Sequence, residues 1–122
     1  MLAAVMTSSY SAVPPQKIDT LTKMDVYLVP GSVIRKGDDV SYFLIFDFKE
    51  SDKIGKQSFK SASTNYGGNC AGGTTTERHN VFYVENMAEG KILLWEQGEP
   101  SYKLGLPQSY SDKYTNIVCN IK

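Results

Sequence analysis

Histidine, cysteine and tryptophan are scarce in this chain: one His, two Cys and one Trp among 122 residues. So few ligands, and none of them clustered, exclude a Cys/His metal centre, and a single His leaves little from which to assemble a nucleophile-base pair. Charge of one sign is also missing, because 13 Lys and Arg stand against 13 Asp and Glu. A basic face that neutralises many phosphates is therefore not expected, which excludes nucleic acid as a partner class. No apolar run approaches the roughly 18 residues of a membrane-spanning helix. Absent too are a Walker-type phosphate loop, Gly-x-Gly-x-x-Gly, His-Glu-x-x-His and Gly-x-Ser-x-Gly. Nothing in the chain calls for a cofactor.

What is present favours a folded β-rich domain. Hydrophobic residues make up 41% and aromatics 11%, enough for a core and against disorder. A chain of this length buries roughly two-thirds of its unfolded surface, which suits one domain and not two. Eight Tyr and five Phe tilt the composition toward strands.

The start, Met1-Leu2-Ala3-Ala4-Val5-Met6 followed by small residues and Pro14-Pro15, has the look of the tail of a secretory signal without its basic region. Either a longer signal ends here or the start is simply disordered. Residues 1–22 are read as leader remnant and flexible lead-in, and residues 23–122 as the single domain. Cys70 sits in a glycine-rich turn and Cys119 in an apolar patch near the C-terminus. They are either two buried free thiols or one bridge. An exported domain with an even cysteine count favours the bridge, and closing a loop of about 50 residues would stabilise the fold by roughly 4 kcal/mol.

Residues 24–29 read as a strand stopped by Pro30-Gly31-Ser32, and residues 33–36 as a second, with a turn at Gly37-Asp38-Asp39. Residues 40–48 form the clearest strand. Val40, Tyr42, Leu44, Phe46 and Phe48 share one face, while Phe43 and Ile45 give the other an apolar middle, so a central strand covered on both sides is expected. Residues 49–56 read as a charged, solvated loop, and residues 58–66 as a strand. The glycines at 67, 68, 72 and 73 mark a turn, a bulge or a distorted strand and lack the setting of an anion-binding loop. Strands at 74–85 and 91–96 follow, separated by a turn at 86–90. Ser109 or Ser111 is expected to cap a last helix, with Tyr110, Tyr114, Ile117, Val118 and Ile121 as its apolar stripe. The fold class is α+β: an antiparallel meandering sheet of five or six strands with one C-terminal helix, tethered where Cys70 and Cys119 bond.

Candidate chemistry is thin. Glu77 and His79 fall two apart on a strand, hence on one face with Arg78 on the other, and such a pair could serve as general acid and base. Solvent-facing cross-strand partners are the commoner outcome for such positions. Trp95 reads as core or core edge. Tyr102, Tyr110 and Tyr114 are the aromatic candidates for an exposed contact, although packing competes for the last two.

The order of these elements resembles the bacterial surface-adhesin protein E-like family. The likeness is carried by residues 24–40, with their Val-Tyr strand, Ser-Val-Ile-Arg segment and glycine turn. It continues through residues 61–70, leading to the first cysteine, through residues 88–92 before Trp95, and in the closing Val118-Cys119. This resemblance implies a sheet with a disulfide-tethered helix, exported to the periplasm or cell surface. It also implies a family that includes an adhesin of host extracellular-matrix proteins, such as vitronectin and laminin, able to form a homodimer. The chain departs from the pattern in showing no lipobox cysteine and no recognisable ligand-binding motif, so the protein-binding residues stay unassigned. The expected function is an exported, non-enzymatic protein-binding domain, with matrix or envelope proteins as partners. A periplasmic accessory or inhibitor-like module is the alternative, and a small hydrolase built on Glu77 and His79 the third.

Overall fold

A computed structural model of the chain describes residues 13–54, 56–72, 75–97 and 106–121, without the side chains of residues 54 and 94–97. The leader-like start and Tyr102 lie outside the described residues, and Trp95 is described only through its backbone.

Seven antiparallel strands form one open sheet: β1 (Gln16–Thr20), β2 (Met24–Leu28), β3 (Ile34–Lys36), β4 (Asp39–Ile54), β5 (Gln57–Asn69), β6 (Thr75–Tyr83) and β7 (Ile92–Gln97). Among the described residues one helix, α1 (Gln108–Cys119), follows. The sheet is a meander, β1-β2-β4-β5-β6-β7, with β3 also paired to β4. Because β2 pairs residues 44–48 of β4 and β3 pairs residues 39–41, these two short strands lie end to end along one side of the long one. A single 3-10 turn at Pro30–Ser32 separates them. There the Ser32 hydroxyl donates to the Val29 carbonyl at 2.6 Å and accepts from the Phe43 amide at 2.9 Å, so the break in the ladder leaves β4 satisfied.

Two segments differ from the sequence reading. Gln16–Thr20, expected within the flexible lead-in, is an edge strand paired with β2 through a bulge between Lys17 and Asp19. Only Ile18 is apolar in it, so it carries almost no periodic signal. Residues 49–54, expected as a loop, extend β4 into a long hairpin with β5; charged residues suit a strand that is exposed at its tip. Gly67 and Gly68 belong to β5, and the turn comes after them.

Most of the large apolar side chains are buried on one face. Val26, Leu28, Tyr42, Leu44, Phe46, Phe59 and Phe82 are buried on the face that carries α1, together with Tyr114 and Val118 from the helix. Edge-to-face rings knit the far end of this core, Phe48 to Phe59 at 5.2 Å and Phe59 to Phe82 at 4.9 Å, an arrangement that adds to burial alone. The other face of β4 carries no second layer among the described residues. Ile45 is nonetheless buried on that face, as the apolar middle of the strand leads one to expect.

The helix is fastened as much by polar contacts as by burial. Pro107 precedes it with no side-chain cap, so neither Ser109 nor Ser111 plays that part. Tyr110 and Ile121 are exposed, leaving Tyr114, Thr115 and Val118 as the buried positions. Cys70 and Cys119 are bonded, with Cα atoms 5.7 Å apart, and the bridge ties the last turn of α1 to the end of β5. Between them the Thr115 hydroxyl meets those of Tyr42 at 2.6 Å and Thr75 at 2.7 Å. At the opposite margin Tyr114 and Lys113 both donate to Asp19 on β1, at 2.8 and 3.1 Å.

Candidate protein-binding face

Residues directly opposite on neighbouring antiparallel strands point to the same face, so the register gives the composition of the open face row by row. The central row runs Tyr27, Ile45, Ser63 and Val81. The next runs Phe43, Asn65 and His79, and beyond it lie Ile34, Ser41, Gly67 and Thr76. On the other side of centre come Asp25, Asp47, Ser61 and Tyr83. Ile45 is buried while Tyr27, Phe43, Val81 and Tyr83 are half-exposed. Partly exposed apolar and aromatic groups on a face without a second layer among the described residues are what a protein interface offers at its centre.

Charge is sorted along this face. At one end Asp25 and Asp47 lie opposite each other; Lys17 sits 3.6 Å from Asp25, and Asp47 accepts from Asn86 and the Met87 amide at 2.9 and 2.8 Å. At the other end lie Arg78 and Lys36, with Asp39 between strands β3 and β5.

A bulge produces this sorting. Asn65 faces His79 while Tyr66 faces Glu77, so Arg78 has no opposite number on β5. The extra residue reverses the alternation expected from the sequence. Glu77 turns to the helix-covered face, where it accepts from the Asn80 amide at 2.7 Å and helps hold the Tyr66 hydroxyl protonated, after burial as the larger cause. His79 turns to the open face and meets the Phe43 ring edge-on at 5.9 Å, and Arg78 joins it there above Gly67. Glu77 and His79 therefore stand on opposite faces, and the acid-base pair that a hydrolase would need is not assembled. Among the described residues no group of three or more His, Cys, Asp or Glu side chains is placed to hold a metal.

Of the aromatic candidates, Tyr114 is fully buried and Tyr110 exposed, the latter on the helix and away from the open face. Arg78, Phe43 and Ile34, which the sequence reading did not single out, are the ones gathered on it. A cleft of about 480 Å³ between Lys23 and Asp52 on the long hairpin is lined by charges of both signs and no converging polar set.

A family model described as Surface-adhesin protein E matches residues 16–120. The chain belongs to that family. Its surface-adhesin fold is shared with solved structures of Haemophilus influenzae protein E. One is 15% identical with a TM-score of 0.59, covering 86% of this chain and 92% of the other. A second, from non-typeable Haemophilus influenzae, is 15% identical with a TM-score of 0.57, covering 90% and 80%. A comparison with curated protein sequences found no match. The match begins at Gln16, so the surface-adhesin domain takes in β1, which the sequence reading had placed in the lead-in. Among the described residues no helix is long and apolar enough to cross a membrane.

Proposed function

We propose that this surface-adhesin domain is an exported, non-enzymatic binding protein that engages an extracellular-matrix protein through the open face of its sheet. The observation that carries the reading is the set of partly exposed Tyr27, Phe43, Val81 and Tyr83 around the buried Ile45, on the face away from the helix, in a chain of this family. Aromatic and aliphatic groups at the centre of a patch, with charges toward its ends, suit recognition of a protein surface more than of a small molecule. The bridge between Cys70 and Cys119 supports export, because disulfides persist in oxidising compartments. Whether the domain works in the periplasm or outside the cell is read by protease treatment of intact cells, which removes it only if it is surface-exposed.

Binding is tested with purified oxidised protein on immobilised vitronectin and laminin at physiological salt. Saturable binding to either supports the reading; none to both, beside saturable capture of a periplasmic enzyme, favours the accessory or inhibitor-like alternative. A homodimer would compete for the same apolar row, and light scattering after gel filtration reads it directly.

A further inference from the structure

We infer that Arg78 and the shallow clefts beside it form a carboxylate-binding subsite for an acidic, extended segment of a partner protein. The inference rests on the open face being the binding face and names the chemistry that one end of it selects.

The bulge supplies the geometry. It brings Arg78 to the open face and sends Glu77, the nearest acid in the chain, to the other side of the sheet. Gly67 supplies the seat: a Cβ there would lie 2.6 Å from both Cζ and Nε of Arg78, so the guanidinium can lie against the backbone of β5 only because residue 67 has no side chain. Held in this way, the fork has lost part of its rotational freedom before any ligand arrives, which lowers the cost of binding. Among the described residues Arg78 has neither a hydrogen-bond nor an ion-pair partner, and it is exposed. Its N–H donors are left to solvent.

Two clefts adjoin it. One, of about 310 Å³, is lined by Asp39, Gly67, Gly68, Asn69, Thr76 and Arg78. The other, of about 190 Å³, adds Ile34, Lys36, Val40 and Ser41. The single acid between them, Asp39, is engaged by the Asn69 amide at 2.9 Å, and Lys36 offsets its charge, so the guanidinium's charge remains. A planar carboxylate matches the guanidinium fork with two parallel hydrogen bonds. Ile34, 63% exposed, gives an apolar shoulder beside the cation, which a neighbouring aliphatic side chain of a polypeptide would cover and a free anion would not. The opposite end of the face, with Asp25 and Asp47, repels acid and sets the direction in which such a segment lies.

The test titrates nitrogen-15-labelled oxidised protein with a blocked peptide alternating Glu and Val, with its Gln-for-Glu counterpart, and with inorganic phosphate. The Glu peptide is expected to shift the Arg78 Nε–H signal and the Gly67, Gly68 and Thr76 amides, and the other two probes are not. Arg78→Gln is expected to weaken the Glu peptide about tenfold or more with the melting temperature unchanged, and Arg78→Lys to restore part of it. Equal shifts with the Gln peptide or with phosphate, shifts elsewhere on the sheet, or equal binding by Arg78→Gln would overturn the subsite. Matrix binding without peptide binding overturns the subsite and leaves the adhesin reading standing; peptide binding without matrix binding does the reverse.

Discussion

Gly67 and Gly68 are chain neighbours that serve opposite faces of the sheet. Gly67 makes room for Arg78, whereas a Cβ on Gly68 would sit 2.6 Å from Cγ2 and 2.7 Å from Oγ1 of Thr115 on the helix. The two substitutions should therefore separate. Gly68→Ala presses on a buried, hydrogen-bonded threonine and is expected to cost about 1–3 kcal/mol in urea unfolding; Gly67→Ala displaces only an exposed guanidinium and should leave stability nearly unchanged. Equal costs would contradict the assignment of one glycine to each face. That these positions are special was legible in the sequence, but their roles were not, since each depends on a residue contributed by another element. The same limit applied to Glu77, Arg78 and His79: alternation predicts their faces only in a regular strand, and the bulge has no marker in the residues themselves.

The helix is the element whose hold can be measured most directly. Twelve residues without a side-chain cap are marginal as an isolated helix in water, so the bridge and the hydroxyl contacts carry much of the docking. Cys70→Ala with Cys119→Ala is expected to lower stability by up to roughly 4 kcal/mol, with amide protection lost first in α1 while β4 and β5 keep theirs. Protection lost uniformly would show that the helix and sheet open as one unit. Titration reads the same contacts. Burial would raise the Asp19 carboxyl, but hydrogen bonds from Tyr114, Lys113 and the Thr20 amide prevail and hold it below its ordinary value. A lowered carboxyl contributes stability above its unfolded value that is lost as pH falls through the folded one, so helix docking should weaken below about pH 4. Burial pushes the Tyr42 hydroxyl up to about 12 and raises Tyr114 as well, the latter reinforced by Asp19. A raised tyrosine stabilises the fold fully below about pH 10 and loses that contribution as pH rises. Ultraviolet titration should therefore show these two ionising together with unfolding and not before it. Strands β2, β4 to β7 and the helix were legible from the spacing or run of their apolar residues, and β3 from the turns on either side of it; β1 and the arm at residues 49–54 were not, because edge and tip positions are polar by necessity.

At the scale of the whole molecule the meander sorts its side chains onto two unlike faces, one sealed by a bridged helix and the other without a second layer among the described residues. The fold class and the disulfide tether were readable from strand patterns, two cysteines and a helical stripe. The open face was not, because Phe43 and Ile45 give β4 two apolar faces, of which the second buries Ile45 and leaves Phe43 partly exposed. Neutral overall charge hid a further division, with acids at one end of that face and Arg78 with Lys36 at the other. A patch of this kind gives specificity by shape and local charge more than by long-range steering, so matrix binding should persist at moderate salt. The most direct test compares saturable binding to immobilised vitronectin and laminin by the wild-type protein, by Tyr27→Glu with Val81→Glu on the open face, and by Tyr110→Glu on the helix. The account predicts binding by the wild type and the helix variant and its loss in the open-face variant, with all three folded; equal binding by the open-face variant, or none by the wild type, would contradict it.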